Sequence, residues 1–209
     1  VADAYESIFT DKKGKLHNEF QTGYVLPLQF NMFSEYNKKA AAYNLKKLVE
    51  KHNYCIGTGF PGTPYILFAL VDNGYVKEAY KMLENTICPS WLYEVKVGAT
   101  TIWERWDALD ENGECEIGDD GTGGMISFNH YASGSVGDFL YRRVAGIEPI
   151  ECGYKKFLIK PVLGGTLTYA KAETKTSYGI IKSDWKIENN KFKLSVTVPY
   201  GCEAKIVLP

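Results

Sequence analysis

The sequence predicts an α+β chain of two domains, helices first and an antiparallel β-domain last. Three observations carry this. Apolar residues recur at three- and four-residue spacing through the first two-thirds of the chain. After Gly153 the period changes to two. Between the last two alternating runs sits Asn189-Asn190, a dipeptide that suits a tight hairpin.

Taken in order, the opening Ala4 to Phe9 reads as helix, entered without an initiator Met, and predicts a piece of a larger architecture. From Glu19 to Phe33, Phe20, Tyr24, Val25 and Leu28 share a face, with Pro27 expected to kink or restart that helix. From Glu35 to His52, Ala41, Leu45, Leu48 and Val49 oppose a lysine-rich face. Gly57 to Gly62 cannot continue a helix; it also lacks the glycine register of a nucleotide-binding loop. Thr63 as cap and Pro64 as first helical residue predict a helix running to Gly74, and Val76 to Thr86 predicts another. Ser90 to Gly98 reads as loop or short strand, and Thr101 as the start of a helical turn containing Trp103, Glu104 and Trp106. Asp107 to Gly124 is polar and acidic and reads as loop, with Asp119-Asp120-Gly121 a solvated turn lacking the ligand spacing of a calcium loop. A last helix is predicted from Ser127 to Val144, closing at Gly146.

In the final third, Ile181, Ser183, Trp185 and Ile187 alternate with polar residues, as do Phe192, Leu194, Val196 and Val198. With Lys156 to Val162 and Leu167 to Thr174 they predict an antiparallel sheet with one wet face. Periodicity leaves the helical part open among bundle, solenoid and toroid.

Composition narrows the function by exclusion. A net charge of −1 offers no electrostatic footprint for nucleic acid or anionic membrane. The longest apolar run, Tyr65 to Val71, is too short to cross a bilayer. Five cysteines scattered singly, without CxxC spacing, predict reduced thiols, no metal cluster and a cytoplasmic setting. No cofactor motif occurs.

The most informative stretch places Glu104 and Arg105 between Trp103 and Trp106, with His130 following the acidic loop. Glycoside hydrolysis needs a carboxylate in a partly dry pocket with aromatic walls for the sugar. Arg105 or His130 is expected to donate to that carboxylate and keep it charged. The same letters, Thr101 to Glu104, also spell a capping box, which needs no chemistry at all. His130 is equally readable as a satisfied core histidine, and Trp91 and Trp103 as packing residues.

Six segments tilt this balance. The runs QTGYVLPLQF, TGFPGTPYILFALVDNG, CPSWLYEVKVGATT, GATTIWERWDA and SFNHYASGSVGDFLYRRVAGI, with GYKKFLIKPV after them, resemble successive segments of the bacterial family 78 α-L-rhamnosidases. The resemblance runs through nearly the whole chain in family order. It implies that residues 1–147 are closing helices of an (α/α)6 toroid and residues 148–209 a C-terminal antiparallel β-sandwich. It implies an inverting hydrolase acting on rhamnose-containing carbohydrate, with Glu104 as general base and His130 as a ligand of the rhamnose hydroxyls. Trp91 and Trp103 fall in segments that border the sugar. No counterpart of the family's general acid is found, so the chain is expected to be inactive alone, and to self-associate or pair with a missing N-terminal part of the toroid. The long acidic loop departs from the family pattern and leaves the aglycone undefined. Another toroid glycosidase, a phosphorylase and a non-catalytic carbohydrate-binding module remain as alternatives.

Overall fold

The protein is described here by a computed structural model covering residues 1–11, 13–115 and 126–209. Its chain divides into two compact units, Val1–Ser135 and Val136–Pro209. The first holds the α-helices α1 (Ala2–Phe9), α2 (Gln21–Gln29), α3 (Glu35–Lys51), α4 (Ile66–Val71), α5 (Val76–Leu83), α6 (Trp91–Lys96) and α7 (Tyr131–Gly134). Its core includes Tyr24 and Val25 of α2, Ala41, Leu45 and Val49 of α3, Ile66 and Leu70 of α4, and Tyr80 and Met82 of α5. The predicted α3 stripe is thus the face that is buried. No helix among the described residues is long and apolar enough to cross a membrane.

Local chemistry explains several departures from the predicted elements. Pro27 neither ends nor restarts α2, although its ring removes the N–H that would bond to the Gly23 carbonyl four residues back. The Tyr5 hydroxyl, from α1, donates to that carbonyl at 2.9 Å and fills the gap. Thr63 does not cap α4. Its hydroxyl donates back to the Gly59 carbonyl at 3.0 Å and meets the Thr58 hydroxyl at 2.9 Å, so residues 60–65 form turns and helix begins only at Ile66. The Ser90 to Gly98 segment is helix, not loop or strand: the Ser90 hydroxyl accepts from the Tyr93 amide, and Gly98 ends the turn at φ +91°. Thr101 starts no helix. Its hydroxyl donates to the Phe128 carbonyl instead of receiving an amide of its own segment.

The predicted helix from Ser127 begins at Tyr131, because the backbone of Ser127 and His130 bonds across to Glu104 and Ile102 instead of along its own segment. Asp119-Asp120-Gly121 lies outside the described residues.

The second unit opens with α8 (Val136–Phe139) and a π-helical turn (Leu140–Val144). Six strands follow: β1 (Ile147–Pro149), β2 (Lys156–Ile159), β3 (Tyr169–Thr176), β4 (Gly179–Glu188), β5 (Lys191–Thr197) and β6 (Glu203–Ile206). They make two three-stranded sheets, β1-β2-β6 and β3-β4-β5. The second is antiparallel throughout, and β4 meets β5 across Asn189 and Asn190 in the register Glu188 opposite Lys191. The first contains a parallel pair, β2 with β6, which the alternating pattern did not predict. Parallel pairing needs a long crossover, and the whole β3-β4-β5 meander supplies it. Ile147, Phe157, Ile159 and Ile181 form the core, with Leu194, Val196 and Ala204 packed against it.

Candidate active site

The site is built on backbone outside regular helix. Residues 101–104 and 127–130 lie side by side, held by Glu104 N–H to the Ser127 carbonyl (2.9 Å) and His130 N–H to the Ile102 carbonyl (2.9 Å). The pairing brings together two segments separated in sequence by the acidic loop. Trp103 is buried, at 2% exposure, while Glu104 is half-buried.

Glu104 Oε2 accepts from the Ser127 amide at 2.9 Å. The donor there is a backbone amide, and Arg105 forks onto Asp107 through Nε (3.2 Å) and a terminal nitrogen (3.3 Å). The capping-box reading also fails on geometry, since Glu104 bonds across to residue 127 and not back to Thr101. A carboxylate held by one backbone amide keeps its orientation and retains a second oxygen for a reacting partner.

His130 is held on three sides. It caps α7, its Nδ1 accepting from the Ala132 amide at 3.3 Å. In the neutral ring that leaves the proton on Nε2, as a donor. Phe60 stacks on the imidazole at 4.3 Å with 24° between planes, and Tyr131 stacks at 5.2 Å with 21°. Phe60 comes from the glycine-rich loop that follows α3. Buried Gln21 ties that loop to α2: its amide nitrogen donates to the Cys55 carbonyl (3.1 Å), and its carbonyl accepts from the Gly57 amide (2.7 Å).

Trp91 is buried, and its indole N–H donates to the Ser133 carbonyl at 2.9 Å, joining α6 to α7. Trp103 packs edge-on against Phe128 at 5.7 Å, and Trp106 edge-on against Trp91 at 5.6 Å. Phe60, Phe128 and Tyr131 are exposed, so the open aromatic faces belong to residues that sequence reasoning did not single out. The signal was present for two of them: Phe128 and Tyr131 flank Asn129-His130 directly.

A second carboxylate, close in sequence to Glu104 and not among the predicted site residues, bonds to the same segment. Glu94 of α6 is 1% exposed, and its Oε2 accepts from the Trp103 amide at 3.1 Å. Among the described residues its Oε1 has no hydrogen-bond partner. Burial pushes its carboxyl up to about 7, against the pull of the Trp103 bond. The clue lay in spacing, for Trp91 and Glu94 are three apart and share one face of α6. Among the described residues no His, Cys, Asp and Glu cluster has the makings of a metal site.

The family model for the bacterial α-L-rhamnosidase six-hairpin glycosidase domain matches residues 1–144, and that for the bacterial α-L-rhamnosidase C-terminal domain matches residues 146–209. The chain belongs to the bacterial α-L-rhamnosidase family. An α-L-rhamnosidase of Streptomyces avermitilis is 36% identical over 209 residues, covering all of this chain and 20% of that protein. One of Formosa agariphila is 39% identical over 212 residues, covering all of this chain and 22% of that protein. The chain therefore spans about a fifth of the length of these curated rhamnosidases. Among solved structures, native α-L-rhamnosidase from Aspergillus terreus superposes with a TM-score of 0.93 at 37% identity, over 100% of this chain and 24% of that one. The Streptomyces avermitilis enzyme complexed with L-rhamnose gives 0.91 at 36% identity, over 98% of this chain and 19% of that one.

Proposed function

We propose that this chain carries the general-base wall of an inverting α-L-rhamnosidase, with rhamnose-containing carbohydrate as substrate. The observation that carries the reading is the placement of Glu104: half-buried, pinned through one oxygen by the Ser127 amide, and on the strip of backbone that pairs with His130. In the proposed step Glu104 takes a proton from water as the water oxygen forms its bond to the anomeric carbon. The glycosidic bond from that carbon breaks, and its oxygen receives a proton from the general acid. His130 Nε2 donates to a rhamnose hydroxyl, and the exposed rings of Phe60, Phe128 and Tyr131 border the sugar. Family membership and the rhamnose-bound relative support the substrate class.

The general acid is proposed to lie outside these 209 residues, in a longer protein whose N-terminal helices complete the toroid. An apolar cavity of about 520 Å3 between α1 and α2 fits such a partner element. Ile8, Phe9 and Phe20, which line it, are exposed large hydrophobics.

The test is Glu104→Gln in the full-length protein carrying these residues. The amide keeps shape and cannot take the proton, so kcat for an aryl α-L-rhamnoside should fall by about 10²–10⁴-fold with KM little changed. Near-wild-type turnover would remove Glu104 from the reaction.

A further inference from the structure

Glu94 is anomalous on physical grounds. A carboxyl at 1% exposure carries a large desolvation penalty when ionised, and such groups are ordinarily paired with a cation. Here the described residues offer one bond, from the Trp103 amide, and Oε1 has none. At that degree of burial the remaining oxygen is beyond the reach of bulk solvent. A natural core tolerates such a group where something other than stability maintains it.

The bond's location indicates what that is. Trp103 and Glu104 lie in a segment without helix, where backbone groups must find partners individually. Two acceptors hold the two consecutive amides from different directions. The Ser127 carbonyl takes the Glu104 amide, and Glu94 takes the Trp103 amide. Glu94 itself sits on a short, well-anchored helix. Ser90 caps α6, Trp91 ties it to the Ser133 carbonyl, and the Ala99 amide closes onto the Glu94 carbonyl at 2.9 Å. The side chain therefore transmits the position of a fixed element to the backbone one residue before Glu104.

We infer that Glu94 is a positioning residue for Glu104, fixing the peptide that carries the base through the bond from the Trp103 amide to Glu94 Oε2. The inference rests on the reading of Glu104 as general base. It differs from a packing role in a specific way. Packing would be served as well or better by an apolar side chain of the same length, whereas positioning needs an acceptor at Oε2. Ionised, that acceptor makes a charge-assisted bond, stronger than an amide oxygen could offer. The expected order of activity is therefore Glu, then Gln, then Met.

The experiment measures kcat, KM and melting temperature for Glu94→Gln and Glu94→Met in the full-length protein at pH 8, with Glu104→Gln alongside. Glu94→Met should lose on the order of 10²-fold in kcat, the scale that follows from displacing a catalytic group by about 1 Å. KM should change little, and the melting temperature should hold or rise as a buried charge is removed. Glu94→Gln should fall between wild type and Glu94→Met. A residue with only a packing role would instead leave both kcat and melting temperature of Glu94→Met at or above wild type.

Glu94→Met turning over within about threefold of wild type, while Glu104→Gln is inactive, overturns the positioning role and leaves the base assignment standing. An active Glu104→Gln overturns the base assignment itself. If Glu94→Met does not fold, the decision passes to the isosteric Glu94→Gln. A drop in kcat at constant KM and melting temperature then supports the role, and an unchanged kcat overturns it.

Discussion

Two sets of buried polar groups, one in each unit, are completed to different degrees. In the β-unit, Ser183 and Trp185 on the inward face of β4 are fully buried, and both are satisfied. The Ser183 hydroxyl donates to the Ala145 carbonyl at 2.7 Å, and the Trp185 indole N–H to the Val144 carbonyl at 2.7 Å. In the helical unit, Glu94 is buried to the same degree with an oxygen left over. Completed polar pairs stabilise a fold, whereas a buried polar group left incomplete lowers stability by its full desolvation penalty. The difference marks Ser183 and Trp185 as supports of their sheet and Glu94 as a place where stability yields.

The comparison breaks most directly at Trp185. Trp185→Ala removes the largest fully buried side chain among the described residues and takes the indole donor from the Val144 carbonyl. Loss of a large buried aromatic costs about 3–5 kcal/mol. Urea denaturation of the chain followed by far-UV circular dichroism should show this as a shift to lower denaturant. A loss below about 1 kcal/mol would show that the site collapses without harm, and that β4 does not anchor the unit.

Glu94 predicts the opposite kind of effect, one that depends on pH. Its folded carboxyl titrates near 7, above the ordinary 4.5 of an exposed glutamate. Between those values the folded chain holds a proton that the unfolded chain has released, so stability falls as pH rises from about 4.5 to 7 and levels off above. The gap corresponds to about 3 kcal/mol at 1.36 kcal/mol per pH unit. Urea midpoints at pH 5 and pH 8 should separate accordingly in the wild-type chain and converge in Glu94→Gln. Equal slopes in the two proteins would mean that another group controls the acid limb.

What could be read in advance divides along the same line. In the β-unit the period-2 runs 181–187 and 192–198 identified β4, β5 and their hairpin, because burial on one face leaves its mark on every second residue. The parallel pairing of β2 with β6 left no such mark, since those partners lie some fifty residues apart and pair through backbone atoms. In the helical unit the stripe of α3 was readable for the same reason of periodicity. The backbone around Glu104 was not: residues 101–106 and 127–130 derive their conformation from each other, across a loop, and local propensity there wrote helix. Glu104 and His130 were found as residue types in a motif. Their actual partners, the Ser127 amide and the Phe60 ring, come from distant segments that no spacing rule connects.

The mildest test lies at the β4–β5 hairpin. Asn189 and Asn190 adopt φ of +51° and +57°, so both central residues of this two-residue turn are left-handed, as a type I′ turn requires. Asparagine tolerates that region better than other residues with a Cβ, and an alanine there is strained by about 1–2 kcal/mol. Glycine meets no such strain but loses more freedom on folding. Asn190→Ala should therefore be destabilised relative to both wild type and Asn190→Gly, with the glycine variant close to wild type. The ion pairs at this end, Glu188 with Lys186 and Lys193, are exposed and contribute little to the balance. Because the turn contains none of the residues proposed to act on the sugar, kcat of the full-length protein should be the same for all three. A glycine variant as unstable as the alanine one would mean that an asparagine side chain, and not backbone handedness, holds the turn. A change in kcat would mean that the β-unit reaches into catalysis, and the contrast between the two units would fail at its weakest point.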